Sequence, residues 1–332
     1  MKLKTFSMGG VHPEENKITA EVATVVAPLP QQAIFPLSQH IGAPAKPVVN
    51  RGDKVKVGTL IAEANGFVSA PIYSSVSGTV LKVDTAIDAT GYRKPAIYIN
   101  VEGDEWEESI DRSETLETLD KHPELTPEEI VNRIKVAGVT GMGGAGFPTF
   151  IKLCPPPTAK AECVILNGVE CEPYITSDYR LMMEHADEIL VGLDLLMKGA
   201  KVERGYIGIE DNKPEAIKLF EQKTANDPRI EIVALAKKYP QGGEKQLVDA
   251  VINRQVPAPP AIPVNVGAIV QNVGTAYAVY QAVMNNKPLF ERYTTVTGKQ
   301  LKNPGNFLVR MGTPMRELID LCGGMPGGDN KG

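Results

Sequence analysis

Between Gly141 and Gly146 the chain reads Gly-Met-Gly-Gly-Ala-Gly. Residues that lack a Cβ let successive main-chain N–H groups converge on an anion, and a helix starting just beyond adds the positive end of its dipole. A phosphate or a phosphorylated isoalloxazine fits such a loop. The spacing also satisfies G-x-G-x-x-G, which alone is weak evidence for dinucleotide binding. An ordinary Rossmann fingerprint needs a helix of about ten residues after the last glycine. Here Pro155-Pro156-Pro157 ends any helix within a turn or two. The phosphate-cradling property therefore survives and the ordinary Rossmann motif does not. A tight helix-to-strand connection is the alternative.

Three further segments share the loop's character. Asn167-Gly168-Val169-Glu170-Cys171-Glu172-Pro173 follows an apolar strand pattern at Cys163–Leu166, where open α/β sheets bind ligands at strand carboxyl ends. Tyr239–Glu244 opens one helix pattern and Gln271–Thr275 opens another. Lys152, just past the glycines, is placed to pair with a phosphate. Glu170 and Glu172 would face opposite ways in an extended segment, so one of them is expected at the site. Glu244 could serve a ligand or only complement its helix dipole. Cys171 reads as a small buried thiol and Arg180 as a solvated charge at a helix start. The histidines are scattered, without H-E-x-x-H spacing.

These segments need a scaffold. Short β-branched runs broken by glycine, at 48–49, 54–57, 59–62, 66–70, 78–83 and 96–101, predict a small all-β unit over 28–103. Its order of turns and strands resembles the barrel-sandwich hybrid of lipoyl and biotinyl carriers. The corresponding tip, Ile72–Ser75, lacks the carrier lysine, so a structural or docking role is expected. Residues 1–27 read as an arm and 104–125 as an acidic linker. Thr126, Pro127 and Glu129 then form a capping-box signature that opens a helix stopped at Gly138. An alternation follows: a helix over 180–198, a strand over 206–209, a helix over 214–222, a strand over 230–234 and a helix over 244–253. This predicts a mainly parallel, Rossmann-like α/β unit over 126–288. Beyond it lie two strand patterns, 294–297 and 306–309, one helix and a glycine-rich tail over 323–332. The chain is expected to stop partway through this last unit, 289–332.

Composition narrows the function classes. The net charge of −5, without a basic run, argues against a nucleic-acid partner. Gln255–Asn286 carries no charge, but its four prolines, Asn265, Gln271 and Asn272 favour a buried core segment over a membrane span. Met1–Gly10 lacks the apolar core of a secretory signal. The four cysteines, Cys154, Cys163, Cys171 and Cys322, form no C-x-x-C pair and read as free thiols.

The segments G-M-G-G-A-G-F-P-T, L-N-G-V-E-C-E-P-Y-I-T-S-D-Y-R and Y-P-Q-G-G-E-K-Q-L, with Q-N-V-G-T and T-V-T-G, together resemble the RnfC family, which belongs to the Rnf complex, the ion-pumping ferredoxin:NAD oxidoreductase. They are similar, more distantly, to the flavin-bearing NADH-binding subunit of respiratory complex I. The resemblance implies a multidomain α/β fold: an N-terminal barrel-sandwich hybrid, a Rossmann-like FMN and NADH domain, and a partial β-grasp ligand-binding unit. It implies non-covalent FMN at Gly141, Gly143, Gly144, Lys152, Asn167, Glu170, Gly242, Asn272 and Thr275, and NAD(H) at Phe147, Glu172 and Glu244. Departures are Met142 where an arginine is usual, Val169 where an acidic residue is expected, and the proline run at Pro155 in place of a second stacking aromatic. Two [4Fe–4S] clusters held by C-x-x-C-x-x-C-x-x-x-C-P runs belong to the full-length family, and no such run occurs here.

Hydride transfer between NAD(H) and FMN, with single electrons passed to the clusters, is the implied activity. Coupling to sodium or proton movement through membrane subunits goes with it. The implied partners are the other subunits and, indirectly, ferredoxin. The implied location is the cytoplasmic face of the membrane. A non-catalytic scaffold or ligand-binding subunit of the same complex is the alternative.

Overall fold

The computed structural model describes residues 3–88 and 90–325. From residue 326 onward the glycine-rich tail read from the sequence lies outside the described residues, as do the first two residues of the N-terminal segment.

The N-terminal unit holds β1 (Val25–Val26), β2 (Gln32–Pro36), β3 (Lys46–Pro47), β4 (Lys54–Val55), β5 (Leu60–Glu63), β6 (Ile72–Tyr73), β7 (Gly78–Ile87) and β8 (Arg93–Val101). Two antiparallel sheets, ordered β2-β8-β7-β4 and β3-β5-β6, enclose Phe35, Ile61, Ile97 and Ile99. Alternation in β2, with Ala33 and Phe35 turned inward, is what closes this sandwich. The predicted strand over 66–70 is absent. Its Ser69 hydroxyl instead donates to the Ala43 carbonyl and accepts from the Asn65 amide, which fixes a loop.

The central unit holds α1 (Pro127–Val136), α2 (Thr149–Lys152), β9 (Cys163–Gly168), α3 (Ser177–Glu184), α4 (Ala186–Ala200), β10 (Gly205–Glu210), α5 (Pro214–Thr224), β11 (Ile230–Leu235), α6 (Glu244–Ile252), β12 (Ala268–Asn272) and α7 (Val273–Met284). At the start of α1 the Thr126 hydroxyl accepts from the Glu129 amide at 3.2 Å, and the Glu129 carboxylate accepts from Arg133. Only half of the capping box forms. As the three prolines require, α2 lasts four residues.

The helix predicted over 180–198 is two helices. His185 leaves helical geometry between α3 and α4, one ring nitrogen facing the Glu188 carboxylate at 2.9 Å and the other the Tyr293 hydroxyl at 2.7 Å. The apolar spacing runs on through the break, so periodicity alone does not reveal it.

The central sheet is parallel, in the order β11-β10-β9-β12. From β9 the chain winds outward through β10 to β11, then α6 carries it back to place β12 on the far side of β9. That reversal makes the carboxyl ends of β9 and β12 the topological switch point of the sheet. Helices α1, α4, α5 and α7 cover one face and α6 the other, with Phe6 of the N-terminal segment packed beside α6. The uncharged stretch 255–286 falls largely into β12 and α7, both deep in this core. Among the described residues no helix is long and apolar enough to cross a membrane.

The last unit holds β13 (Glu291–Val296), β14 (Gly305–Arg310) and α8 (Met315–Leu321). Two strands and a helix are too little for a stable layer. The third strand comes from the other end of the chain: β1 pairs in parallel with β14, Val25 opposite Phe307. Ala27, Phe307, Val309 and Cys322 form the small core beneath it.

Candidate functional site

The glycine loop is pinned at both ends. The Gly141 amide donates to the Phe147 carbonyl at 2.8 Å, and Thr140 bridges to Pro148. On one flank the Met142 amide donates to the Thr275 hydroxyl at 2.9 Å; on the other the Gly146 carbonyl accepts from Ile41 of the sandwich unit. Between these anchors Gly143, Gly144 and Ala145 are exposed, and their N–H groups donate to no acceptor among the described residues. Gly144 sits at φ +127, open to glycine alone at little cost, and a Cβ on Gly143 would lie 3.3 Å from that of Asn272.

Asn272 closes the loop onto the sheet. Its Oδ1 caps α7 by accepting from the Gly274 amide at 2.8 Å. Its Nδ2 donates to Asp178 Oδ2 at 2.6 Å, with the Asn167 carbonyl at 3.4 Å. Asn167, its neighbour across the β9–β12 register, donates to the Gly242 carbonyl at 2.9 Å. The Gly242 amide in turn meets Cys171 Sγ at 3.4 Å. Lys152 pairs with Glu244 at 2.7 Å and donates to the Val270 carbonyl at 3.0 Å. Hydrogen bonds thus join Asn167, Gly242 and Asn272 at the switch point, Thr275 holds the loop there through Met142, and Gly143 packs against Asn272. Lys152 and Glu244 sit as a pair on its edge. Phe147 contributes its carbonyl to the loop, and its ring joins no aromatic pair among the described residues.

A cleft of about 550 Å³ opens beside the loop. Gly143, Gly144, Glu170 and Glu172 line it, with Asp178, Tyr277 and Gln281 from the helices and Arg292 and Tyr293 from β13. A wider hollow of about 970 Å³ lies on the loop's other side, toward β2 and the β7–β8 hairpin; Gly141, Gly144 and Arg292 border it. Both glutamates reach the cleft because Glu170, at φ +48, breaks the extended geometry that would set them on opposite faces.

Glu170 is buried, and its carboxylate accepts from the amides of Asp178 at 2.7 Å and Tyr179 at 3.4 Å, capping α3. Burial pushes its pKa up, against the pull of Lys17 and Lys213. Burial, reinforced by the Glu170 charge, pushes Asp178 up to about 7, while the Asn272 hydrogen bond and Arg292 pull it back. Burial likewise raises the Cys171 thiol. Arg180, read as solvated, instead pairs with Glu184 at 2.8 Å and reaches the Ala20 carbonyl.

Sequence reasoning missed Asp178, Tyr277, Arg292 and Tyr293. Asp178 stood inside a quoted motif, and its only signal was its place one residue into α3. Arg292 comes from a different unit, and its guanidinium faces the Met142 carbonyl at 3.4 Å. A cation thus stands at the loop although position 142 is methionine.

Family comparison agrees with this layout. Residues 4–104 match the RnfC barrel sandwich hybrid domain, 134–281 the Nuo51 FMN-binding domain and 293–332 the SLBB domain. Over 97% of its length the chain is 45% identical to the C subunit of the proton-translocating ferredoxin:NAD(+) oxidoreductase complex of Clostridium ljungdahlii, covering 69% of that protein. The chain belongs to the RnfC family of ferredoxin:NAD(+) oxidoreductase complexes. The Na(+)-translocating counterpart of Acetobacterium woodii is 44% identical, with 72% of its length covered. The C subunit of the ion-translocating oxidoreductase complex of Pseudomonas aeruginosa is 40% identical, with 41% covered. Among solved structures, the NAD+-reducing [NiFe]-hydrogenase in its H2-reduced state superposes with a TM-score of 0.51 at 22% identity, over 61% of this chain and 40% of that one. At that identity the likeness shows the fold alone.

As a member of the RnfC family, the chain is an oxidoreductase-complex subunit with an FMN-binding domain. Cys154 is exposed, Cys163 and Cys322 are buried and Cys171 is half-buried; all four are free. No group of three or more metal-ligating side chains gathers among the described residues.

Proposed function

We propose that this chain is the electron-entry subunit of its complex, binding FMN at the glycine loop and exchanging hydride between that flavin and NAD(H). Single electrons then pass to iron–sulfur clusters elsewhere in the assembly, coupled to sodium or proton translocation by membrane subunits. The supporting observation is the row of exposed N–H groups at Gly143, Gly144 and Ala145, with no acceptor among the described residues, beside the 550 Å³ cleft at the switch point.

The residues present fit a flavin phosphate. Gly143 and Gly144 offer main-chain donors, and the absence of a Cβ leaves the cradle open. Thr275 holds the loop against the start of α7, which Asn272 caps and whose dipole favours an anion. Lys152 and Arg292 supply cations, Lys152 by exchanging its Glu244 partner for the phosphate. Glu172 and Glu244, both exposed carboxylates, are the acceptors proposed for NAD(H) hydroxyls, and Phe147 the apolar face. Bound flavin and nicotinamide carry the redox chemistry themselves, so the chain's task is to bind, orient and exclude water, and no acid–base triad is required.

Anaerobic titration tests this. Added FMN should acquire the absorbance of bound flavin and lose fluorescence, and NADH should then bleach it. A chain that leaves FMN fluorescence unchanged fails the proposal and points to the scaffold role instead.

A further inference from the structure

Two lysines at the switch point serve neither the sheet nor the phosphate cradle. Lys213, just before α5, is 3% exposed, and its ammonium donates to the Val169 carbonyl at 2.6 Å and to Asn212 Oδ1 at 3.0 Å. Lys17, from the N-terminal segment, donates to the Glu170 carbonyl at 2.7 Å and to the Ile175 carbonyl. Burying an ammonium is costly unless its protons find good partners. Each lysine has a carboxylate near, Glu210 for Lys213 and Glu170 for Lys17, but both stand at 3.8 Å. The short bonds go to main-chain carbonyls of one loop.

Val169 and Glu170 are consecutive, so two successive peptide planes are gripped by their oxygens. In a trans peptide the N–H points opposite to the C=O. The amides of Glu170 and Cys171 are therefore turned away from the lysines, and neither donates to a main-chain carbonyl among the described residues. Lys213 approaches from the β10 side of β9, while the glycine loop and Asn272 arrive on the β12 side. The left-handed backbone at Glu170 is the bend this arrangement needs.

We propose that Lys17 and Lys213 are positioning residues: they hold the Val169–Cys171 backbone so that the Glu170 and Cys171 N–H groups face the bound flavin as a second, fixed pair of donors. This rests on the flavin reading. Donor dipoles held in place favour the more electron-rich form of whatever they face, so the pair should raise both affinity and midpoint potential.

The test uses the whole chain, FMN titration by fluorescence quenching, and the midpoint potential of the bound flavin. Lys213→Met and Lys17→Met should each weaken FMN binding about tenfold, the size of one lost charge-assisted contact, and make the midpoint more negative. Lys17→Arg, which keeps the donors, should restore both. Lys213→Met/Glu210→Gln removes the buried charge imbalance and should recover thermal stability without recovering affinity or potential. Recovery of affinity and potential in that double variant would overturn the proposal, as would lysine variants that match the wild type in both readouts. Should Lys213→Met fail to fold, Lys17→Met, Lys17→Arg and the double variant carry the same decision. A wild-type chain that binds no FMN overturns the flavin reading and this proposal together.

Discussion

Asn272 Nδ2 donates to Asp178 Oδ2 at 2.6 Å, tying the first turn of α7 to the first turn of α3 directly behind the glycine loop. One side chain thus caps its own helix, lies against Gly143 and contacts a half-buried carboxyl whose charge burial disfavours.

That carboxyl sets a pH dependence. Asp178 is raised from the ordinary aspartate range to about 7. A raised carboxyl contributes stability that is whole below about pH 4 and is lost as pH rises through the folded value. Asp178→Asn removes the penalty, so the variant should gain on the wild type by at least about 1 kcal/mol at pH 8, one pKa unit being worth about 1.4 kcal/mol. At pH 5 the gain should shrink. Urea melts at the two pH values measure it, and a pH-independent difference would contradict the assignment.

Gly143 and Gly144 should separate binding from strain. Gly143→Val crowds Asn272 and covers the free amides, so FMN affinity should fall at least tenfold, about 1.4 kcal/mol. Gly144→Ala meets no neighbour but keeps φ +127, and should lower stability by about 1 kcal/mol. Fluorescence titration and thermal melting of each variant distinguish the two effects.

Gly192 is a stability test remote from the loop. A Cβ there would lie 2.0 Å from the Ala276 carbonyl, where α4 and α7 cross at backbone contact. Gly192→Ala should cost about 3 kcal/mol. If its melting temperature equals the wild type's, the close crossing is wrong.

Ala27 tests the pairing of β1 with β14. Its amide donates to the Leu308 carbonyl at 3.0 Å and its methyl lies in the small core under β14. Ala27→Pro deletes that bond and should speed hydrogen exchange throughout β13 and β14 while leaving β9–β12 protected.

Much of this architecture was legible because local signals carried it. Glycine spacing, Asn167 after an apolar strand, the helix opening at Gln271–Thr275 and the proline run after α2 are each marked by a few adjacent residues. What was hidden depends on distant partners. The two-residue strand β1 has no periodicity to read, and His185 breaks a helix through contacts with Glu188 and Tyr293 that spacing does not encode. Arg292 reaches the loop only because β13 folds back over it. The left-handed Glu170 backbone, which brings both glutamates to the cleft, rests on lysines far away in sequence.

The pairing of β1 with β14 has a consequence for biosynthesis. Val25 leaves the ribosome long before Phe307 exists, so its edge must wait without its lateral neighbour while the sandwich and the parallel sheet assemble. The sheet of β1, β14 and β13 closes only when the later strands arrive to clasp β1, which leaves β1 the stretch most open to misassembly while the chain is being made.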